Sequence, residues 1–150
     1  MTVSDPDWRS ANRANWDERV AIHLGAACYE IESLRAGRGR LNPIEEAEIG
    51  PLAGLRVLHL QCHFGRDSLI LASRGATVVG LDFSRPAIAT ARELAAELGL
   101  TERARFVEAD LYDAPSAIPE AAAFDLVFVT WGAINWLRTF AVGLRSWRTS

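Results

Sequence analysis

At 150 residues, 49% hydrophobic and 23% charged, the chain has the size and balance of one folded domain with a single core, which excludes a disordered segment. Its formal net charge is −3 with no run of like charges. It therefore lacks the concentrated basic face that releases counterions from nucleic acid, and no nucleic-acid partner is expected. A polar, acidic start, apolar stretches well short of a bilayer, and two isolated cysteines (Cys28 and Cys62) argue against a secretory signal, a membrane span and a disulfide framework. The expected location is the reducing cytoplasm.

Residues 8–34 read as a helix, because Trp16, Val20, Leu24, Ala27 and Ile31 recur at three- and four-residue steps, with Asn12 placed to cap part of it. AGRGRLNP (36–43) is a flexible connector, and 44–49 a short helix. From there the pattern alternates. RVLHLQ (56–61) is a short apolar strand, and 65–74 a helix stopped at Gly75. ATVVGL (76–81) is a second strand. Residues 84–98 form a helix with Ser84 as N-cap, Pro86 in its first turn and Gly99 as its stop. Residues 104–108 are a third strand and FDLVFV (124–129) a fourth. Strand–helix units of this length make right-handed crossovers, so the expected class is α/β with a parallel sheet covered on both faces.

In open parallel sheets, ligands sit beyond the C-terminal ends of the strands. Three strand ends carry suitable chemistry. Gln61-Cys62-His63-Phe64-Gly65 is a turn running straight into a helix, whose N-terminus offers unpaired N–H groups. Asp82 ends the second strand, where a carboxylate can accept both ribose hydroxyls. Asp110 follows the third, placed to accept from an adenine amino group while Leu111 packs on the ring. Taken singly, such an aspartate is as often a helix cap or turn former. Asp67, in the first turn of its helix, reads equally well as a residue that favours the macrodipole. His59, Cys62 and His63 are close in sequence, but His59 and Cys62 point to opposite faces of a strand, and no metal is expected. His59 reads as a satisfied core histidine and Cys62 as a small buried packing residue.

VLHLQCHFGRDSLILASRGATVVGLDFSRPAIATAR resembles the first two motifs of class I S-adenosylmethionine-dependent methyltransferases, and RFVEADLYDA and FDLVFVTWGAINWL resemble later ones. The usual first motif reads D-L-G-x-G-x-G. Here His59 stands at the acid, Gln61 and His63 at the first two glycines, and only Gly65 is retained. L-H-L-Q-C-H-F-G is the spelling of one branch. The resemblance implies a Rossmann-like doubly wound sheet in the order 3-2-1-4, with the remaining strands of the seven-stranded family fold absent. It implies S-adenosylmethionine as cofactor, with Gln61, His63 and Gly65 at the methionine part, Asp82 at the ribose, and Asp110, Leu111 and Phe83 at the adenine. Thr130 and Trp131 would line the methyl-transfer cleft, and Asn135 and Trp136 would follow where the acceptor docks. Residues 1–50 then form an N-terminal helical extension or lid, 51–137 the cofactor-binding domain, and 138–150 a divergent tail.

Trp16 reads first as part of its helix's packing stripe and second as an aromatic face offered to the sulfonium. No general base stands out. RTFAVGLRSWRTS, after Leu137, carries three arginines and no helical stripe. One inserted base in a back-translation turns the end into L-P-D-L-R-R-W-A-E-V-V-A-H-L, an amphipathic helix, so a frameshifted or prematurely ended chain is expected. The fourth strand would then be an apolar edge prone to self-association. The expected activity is methyl transfer to a small molecule. The alternatives are an inactive cofactor-binding fragment, or an NAD-dependent oxidoreductase, which the missing G-x-G-x-x-G disfavours.

Overall fold

A computed structural model describes residues 5–120, 123–130 and 133. Among these residues, four strands make one parallel sheet: β1 (Arg56–Leu60), β2 (Thr77–Asp82), β3 (Ala104–Glu108) and β4 (Leu126–Val129), in the order β3-β2-β1-β4. This is the expected 3-2-1-4 order. β1 and β2 are buried beyond their first residues, as strands covered on both faces must be. The register pairs Leu60 with Leu81 and with Val129, and Asp82 with Glu108, so the strands end together and their C-terminal residues share one rim.

Among the described residues, six α-helices accompany the sheet: α1 (Asp5–Gly25), α2 (Ile31–Arg35), α3 (Pro43–Glu48), α4 (Arg66–Ser73), α5 (Arg85–Glu97) and α6 (Ala114–Ala117). Ser84 caps α5 by accepting from the Ala87 N–H at 3.3 Å, with Pro86 in the first turn. Asn42 and Glu45 form a capping box on α3. The main core, around Phe64, Leu69, Ile70, Val78, Ile88 and Phe106, lies between the sheet and α4/α5. A smaller cluster around Leu58, Leu60, Leu81, Ala114 and Ile118 fills the other face. β4 is an outer strand of the sheet described, with Val127 51% exposed.

The N-terminal segment departs from its sequence reading. The helix expected over 8–34 breaks: α1 stops at Gly25, Ala27–Tyr29 is a 3-10 turn, and Glu30, at φ 45°, redirects the chain into α2. An apolar stripe at helical spacing runs through both pieces because each packs on the same core, so periodicity alone does not show the bend. Asn12 lies inside α1 rather than at a cap. No helix among the described residues is long and apolar enough to cross a membrane.

Candidate functional site

The turn after β1 is set by three left-handed residues at alternate positions: Gln61 (φ 54°), His63 (φ 54°) and Gly65 (φ 75°). These are the three positions where the common motif carries glycine. A side chain in this conformation costs on the order of 1–2 kcal/mol, and the turn bears that at Gln61 and His63. Gly65 has no such latitude. A Cβ there would lie 2.6 Å from the Phe106 ring and 3.0 Å from the Ala91 Cβ, on a backbone that already disfavours side chains. The Cys62 N–H bonds to the Leu81 carbonyl (3.0 Å), and the Gly65 N–H to the Cys62 carbonyl (3.0 Å). The turn is thereby stitched to β2 and delivered into the N-terminus of α4.

Asp82 closes the stitching. One carboxylate oxygen accepts from the His63 N–H at 2.8 Å and the other from the Ser84 N–H at 2.9 Å. The residue is 7% exposed, and burial pushes its carboxyl up to about 6 despite these hydrogen bonds. Each carboxylate oxygen retains a lone pair for a further donor. Asp110 sits two residues past β3 and accepts from the Tyr112 N–H at 2.9 Å, so the turn-forming role is real for this residue. Burial, with the Asp82 charge nearby, raises the Cys62 thiol well above its ordinary range, which leaves it a packing residue at neutral pH.

His59 is only half satisfied. Its Nδ1 lies 2.6 Å from the Ser68 hydroxyl, while Nε2 has no partner among the described residues, and burial lowers its pKa to about 3, keeping the ring neutral. The Gln61 Oε1 atom is likewise buried without a partner. Both residues border one cavity of about 620 Å³. Its wall includes His63, Asp82, Phe83, Asp110, Leu111 and Thr130, all expected at the site from the sequence. Gly65, also expected there, is the N-cap of α4 and is not among the residues lining the cavity. Trp131, also expected there, and Asn135 and Trp136 lie outside the described residues.

The cavity's roof is α1, from which Trp8, Arg9, Asn12 and Trp16 face inward. Asp17 accepts from the Ser84 hydroxyl at 2.5 Å, tying the roof to the cap of α5. The Arg9 guanidinium stands over Tyr112 (4.9 Å) and Trp8 (5.6 Å), and Arg13 over Phe83 (5.8 Å). Trp16 meets the His63 ring edge-on at 5.4 Å, so it serves the cavity as well as its helix's packing face. Tyr29 of this wall, and His23 behind it, are among the residues that the sequence reading gave no role. His23 Nδ1 lies 3.0 Å from His63 Nε2, and the Tyr29 hydroxyl 3.0 Å from the same Nδ1. Trp16, Val20 and His23 share one face of α1 at helical spacing, which was the available signal for His23. At the far end, Arg66 donates to the carbonyls of Tyr29 (2.5 Å) and Arg40 (2.8 Å) and pairs with Asp67 at 2.6 Å. Burial raises the Asp67 and Glu45 carboxyls there. Among the described residues, no group of three or more His, Cys, Asp or Glu is placed to hold a metal ion.

A family model described as a methyltransferase domain matches residues 57–147. The chain belongs to this methyltransferase family. The resemblance to class I S-adenosylmethionine-dependent methyltransferases stands, and the matched span runs past Leu137. The 23S rRNA (uracil(1939)-C(5))-methyltransferase RlmD of Acidithiobacillus ferrooxidans is 31% identical over 144 residues, covering 93% of this chain and 30% of that protein. The demethylmenaquinone methyltransferase of Clavibacter sepedonicus is 36% identical over 87 residues, covering 58% of this chain and 33% of that one. The chain thus spans about a third or less of the curated relatives it matches. A putative S-adenosyl-L-methionine-dependent methyltransferase from Methanococcus maripaludis, 19% identical, shares the fold over 97% of this chain and 60% of that one, with a TM-score of 0.62.

One expectation is overturned. Charge excluded a nucleic-acid partner, yet relatives in Azoarcus and Nitrosospira multiformis carry the same 23S rRNA methyltransferase name as the Acidithiobacillus protein. The net charge of a chain spanning so small a share of such proteins does not report where their RNA contacts lie.

Proposed function

We propose that the cavity binds S-adenosylmethionine and that the chain is the cofactor-binding part of a methyltransferase. The carrying observation is Asp82: a buried carboxylate at the end of β2, ordered by two backbone N–H groups, bordering the cavity with acceptor capacity to spare. Ribose hydroxyls suit it. Phe83, Asp110 and Leu111 would surround the adenine, and Gln61, His63 and Gly65 the methionine part, with Thr130 and Trp131 beside the transferred group. The buried, unpartnered Gln61 Oε1 and His59 Nε2 fit a polar ligand here, since such atoms cost about 1–3 kcal/mol when left unpaired.

When bound, the cofactor supplies a methyl carbon already activated by its sulfonium. The chain's own residues then have three tasks: to align donor and acceptor, to exclude water, and to manage any proton the acceptor loses. Alignment falls to the turn and Asp82, and exclusion of water to α1. The reading of the acceptor as a small molecule is supported by the cavity itself, roofed by Trp8 and Trp16 and within the size range of small-molecule sites. A second reading, an RNA base, is supported by the names of the rRNA-methylating relatives.

Titration calorimetry with S-adenosylhomocysteine tests the site. Asp82→Ala removes two charge-assisted acceptors and should weaken binding by about 2–4 kcal/mol. Equal affinity in both proteins, or tighter binding of NAD, would overturn the assignment. Incubation with methyl-labelled S-adenosylmethionine and either demethylmenaquinone or a 23S rRNA transcript separates the acceptor readings by where the label appears. Label in neither would leave a binding module without transfer activity.

A further inference from the structure

Apart from the groups assigned to the cofactor's ribose and adenine, the cavity wall carries one connected set of proton-bearing rings. His63, from the turn after β1, reaches His23 of α1 through the 3.0 Å Nε2···Nδ1 contact, and Tyr29 closes on the same nitrogen. Tyr29 and His63 border the cavity, while His23 stands behind them and is partly exposed. The cluster is held firmly. Tyr29 stacks on His23 with centroids 4.8 Å apart, and His63 packs on Phe64 at 4.4 Å and on Trp16 at 5.4 Å. Arg66 grips the Tyr29 carbonyl, and Asp82 accepts from the His63 backbone N–H. The rings are therefore coupled to the residue that would hold the ribose.

A neutral imidazole carries one N–H and one lone pair. In the His23–His63 contact, one ring nitrogen must present its hydrogen and the other its lone pair. A third proton on the pair is shared through a charge-assisted N–H···N bond, but burial and the neighbouring ring disfavour it. The pair therefore accepts only from a donor made more acidic, as the acceptor's O–H, S–H or N–H becomes while its lone pair binds the methyl carbon. The charged and titratable groups around it are Arg19 on α1, Cys28 beside Tyr29, Arg66 and Asp67 on α4, and Asp82 at the end of β2. Burial lowers His63 to about 4 and, with Arg19, lowers His23. Both rings are thus neutral near pH 7, the form able to accept.

We propose that His63 and His23, steered by Tyr29, are the proton acceptor of the methyl-transfer site, and that the methyl acceptor is a protic nucleophile, a hydroxyl, thiol or N–H compound. This rests on the methyltransferase reading above. In the step, the acceptor's lone pair forms the new bond to the methyl carbon. The carbon–sulfur bond breaks with its electron pair going to sulfur. The acceptor's proton passes to His63 and across to His23, and from there to solvent. An acceptor that brings no proton, such as a thioether or tertiary amine, has no use for the pair.

The test uses the full chain saturated with S-adenosylhomocysteine and 2,4-dinitrophenol, a protic probe acidic enough to match the lowered pKa of His63 and whose phenolate is yellow. In the wild type, bound probe should show increased phenolate absorbance at a pH where the free probe is mostly neutral. His63→Asn, which keeps a residue tolerant of the left-handed turn, and His23→Gln should each abolish that increase. Nitrogen-15 imidazole spectra should show His23 and His63 sharing one titration step, with Tyr29→Phe displacing it. No phenolate increase in the wild type, an increase that survives both histidine variants, or independent titration of the two rings would overturn the proposal. Calorimetry with S-adenosylhomocysteine on the wild type and on Asp82→Ala distinguishes this failure from failure of the cofactor reading, because that comparison reads the cofactor site with both rings in place.

Discussion

The floor and the roof of the cavity are built by different means. The floor is the turn 61–65 with Asp82, fixed by backbone hydrogen bonds and by a core that leaves Gly65 no room for a Cβ. The roof is α1, which buries a single side chain among its described residues, Val20, and is otherwise held by Asp17 on Ser84, arginines over Phe83 and Tyr112, and His23 on His63. Partly exposed contacts of this kind contribute about 1 kcal/mol or less apiece. The difference implies a rule. Changes in the floor should alter folding and binding together, whereas changes in the roof should alter ligand exchange and leave the fold almost untouched.

The largest effect should come from Gly65→Ala. Left-handed strain and a Cβ driven into Phe106 together predict a loss of about 3 kcal/mol or more in urea unfolding. A loss below about 1 kcal/mol would show that the floor has slack and erase the contrast.

The pH response of Asp82 comes next. Its folded pKa is raised to about 6, so its contribution to the stability of the empty protein is present below its ordinary value of 3.8 and is lost as pH rises through about 6. Ribose hydroxyls need the charged carboxylate, so ligand binding releases a proton and the sign reverses. Affinity for S-adenosylhomocysteine should be pH-independent above about 6 and fall by up to about 1.4 kcal/mol per pH unit below it. Calorimetry across that range, in buffers of different ionisation enthalpy, reads both affinity and proton release. Flat affinity down to pH 4.5 would remove Asp82 from the floor's binding role.

Gln61→Gly sharpens the picture in the opposite direction. It relieves a left-handed side chain and deletes a buried, unpaired oxygen, against a glycine entropy cost of about 0.5–1 kcal/mol. Thermal unfolding should show a net gain of about 1 kcal/mol. If S-adenosylhomocysteine affinity falls at the same time, the side chain is retained for the ligand rather than the fold. The smallest stability effect belongs to the roof: Asp17→Ala should cost under about 1 kcal/mol, yet speed S-adenosylhomocysteine dissociation in stopped-flow fluorescence of Trp16. A multi-kcal/mol unfolding effect would make α1 part of the core.

Much of this molecule is legible in one dimension because its causes are local. The apolar run of β1 and the Ser84 cap of α5 depend on neighbours within a few residues. So does Asp82's place at a strand end, because a parallel α/β pattern determines where strands finish. The same local logic failed at Glu30, where an unbroken apolar stripe hides a change of direction that only packing on α4 and α5 enforces. It failed again at His59, whose pairing with Ser68 leaves one nitrogen bare inside the cavity wall. What the sequence alone determined is the sheet, its order by resemblance, and most of the cavity floor. Only the tertiary structure brought His23 across forty positions to His63, because a 3.0 Å contact between a helix and a distant turn follows from how α1 lies over the sheet and from no spacing along the chain.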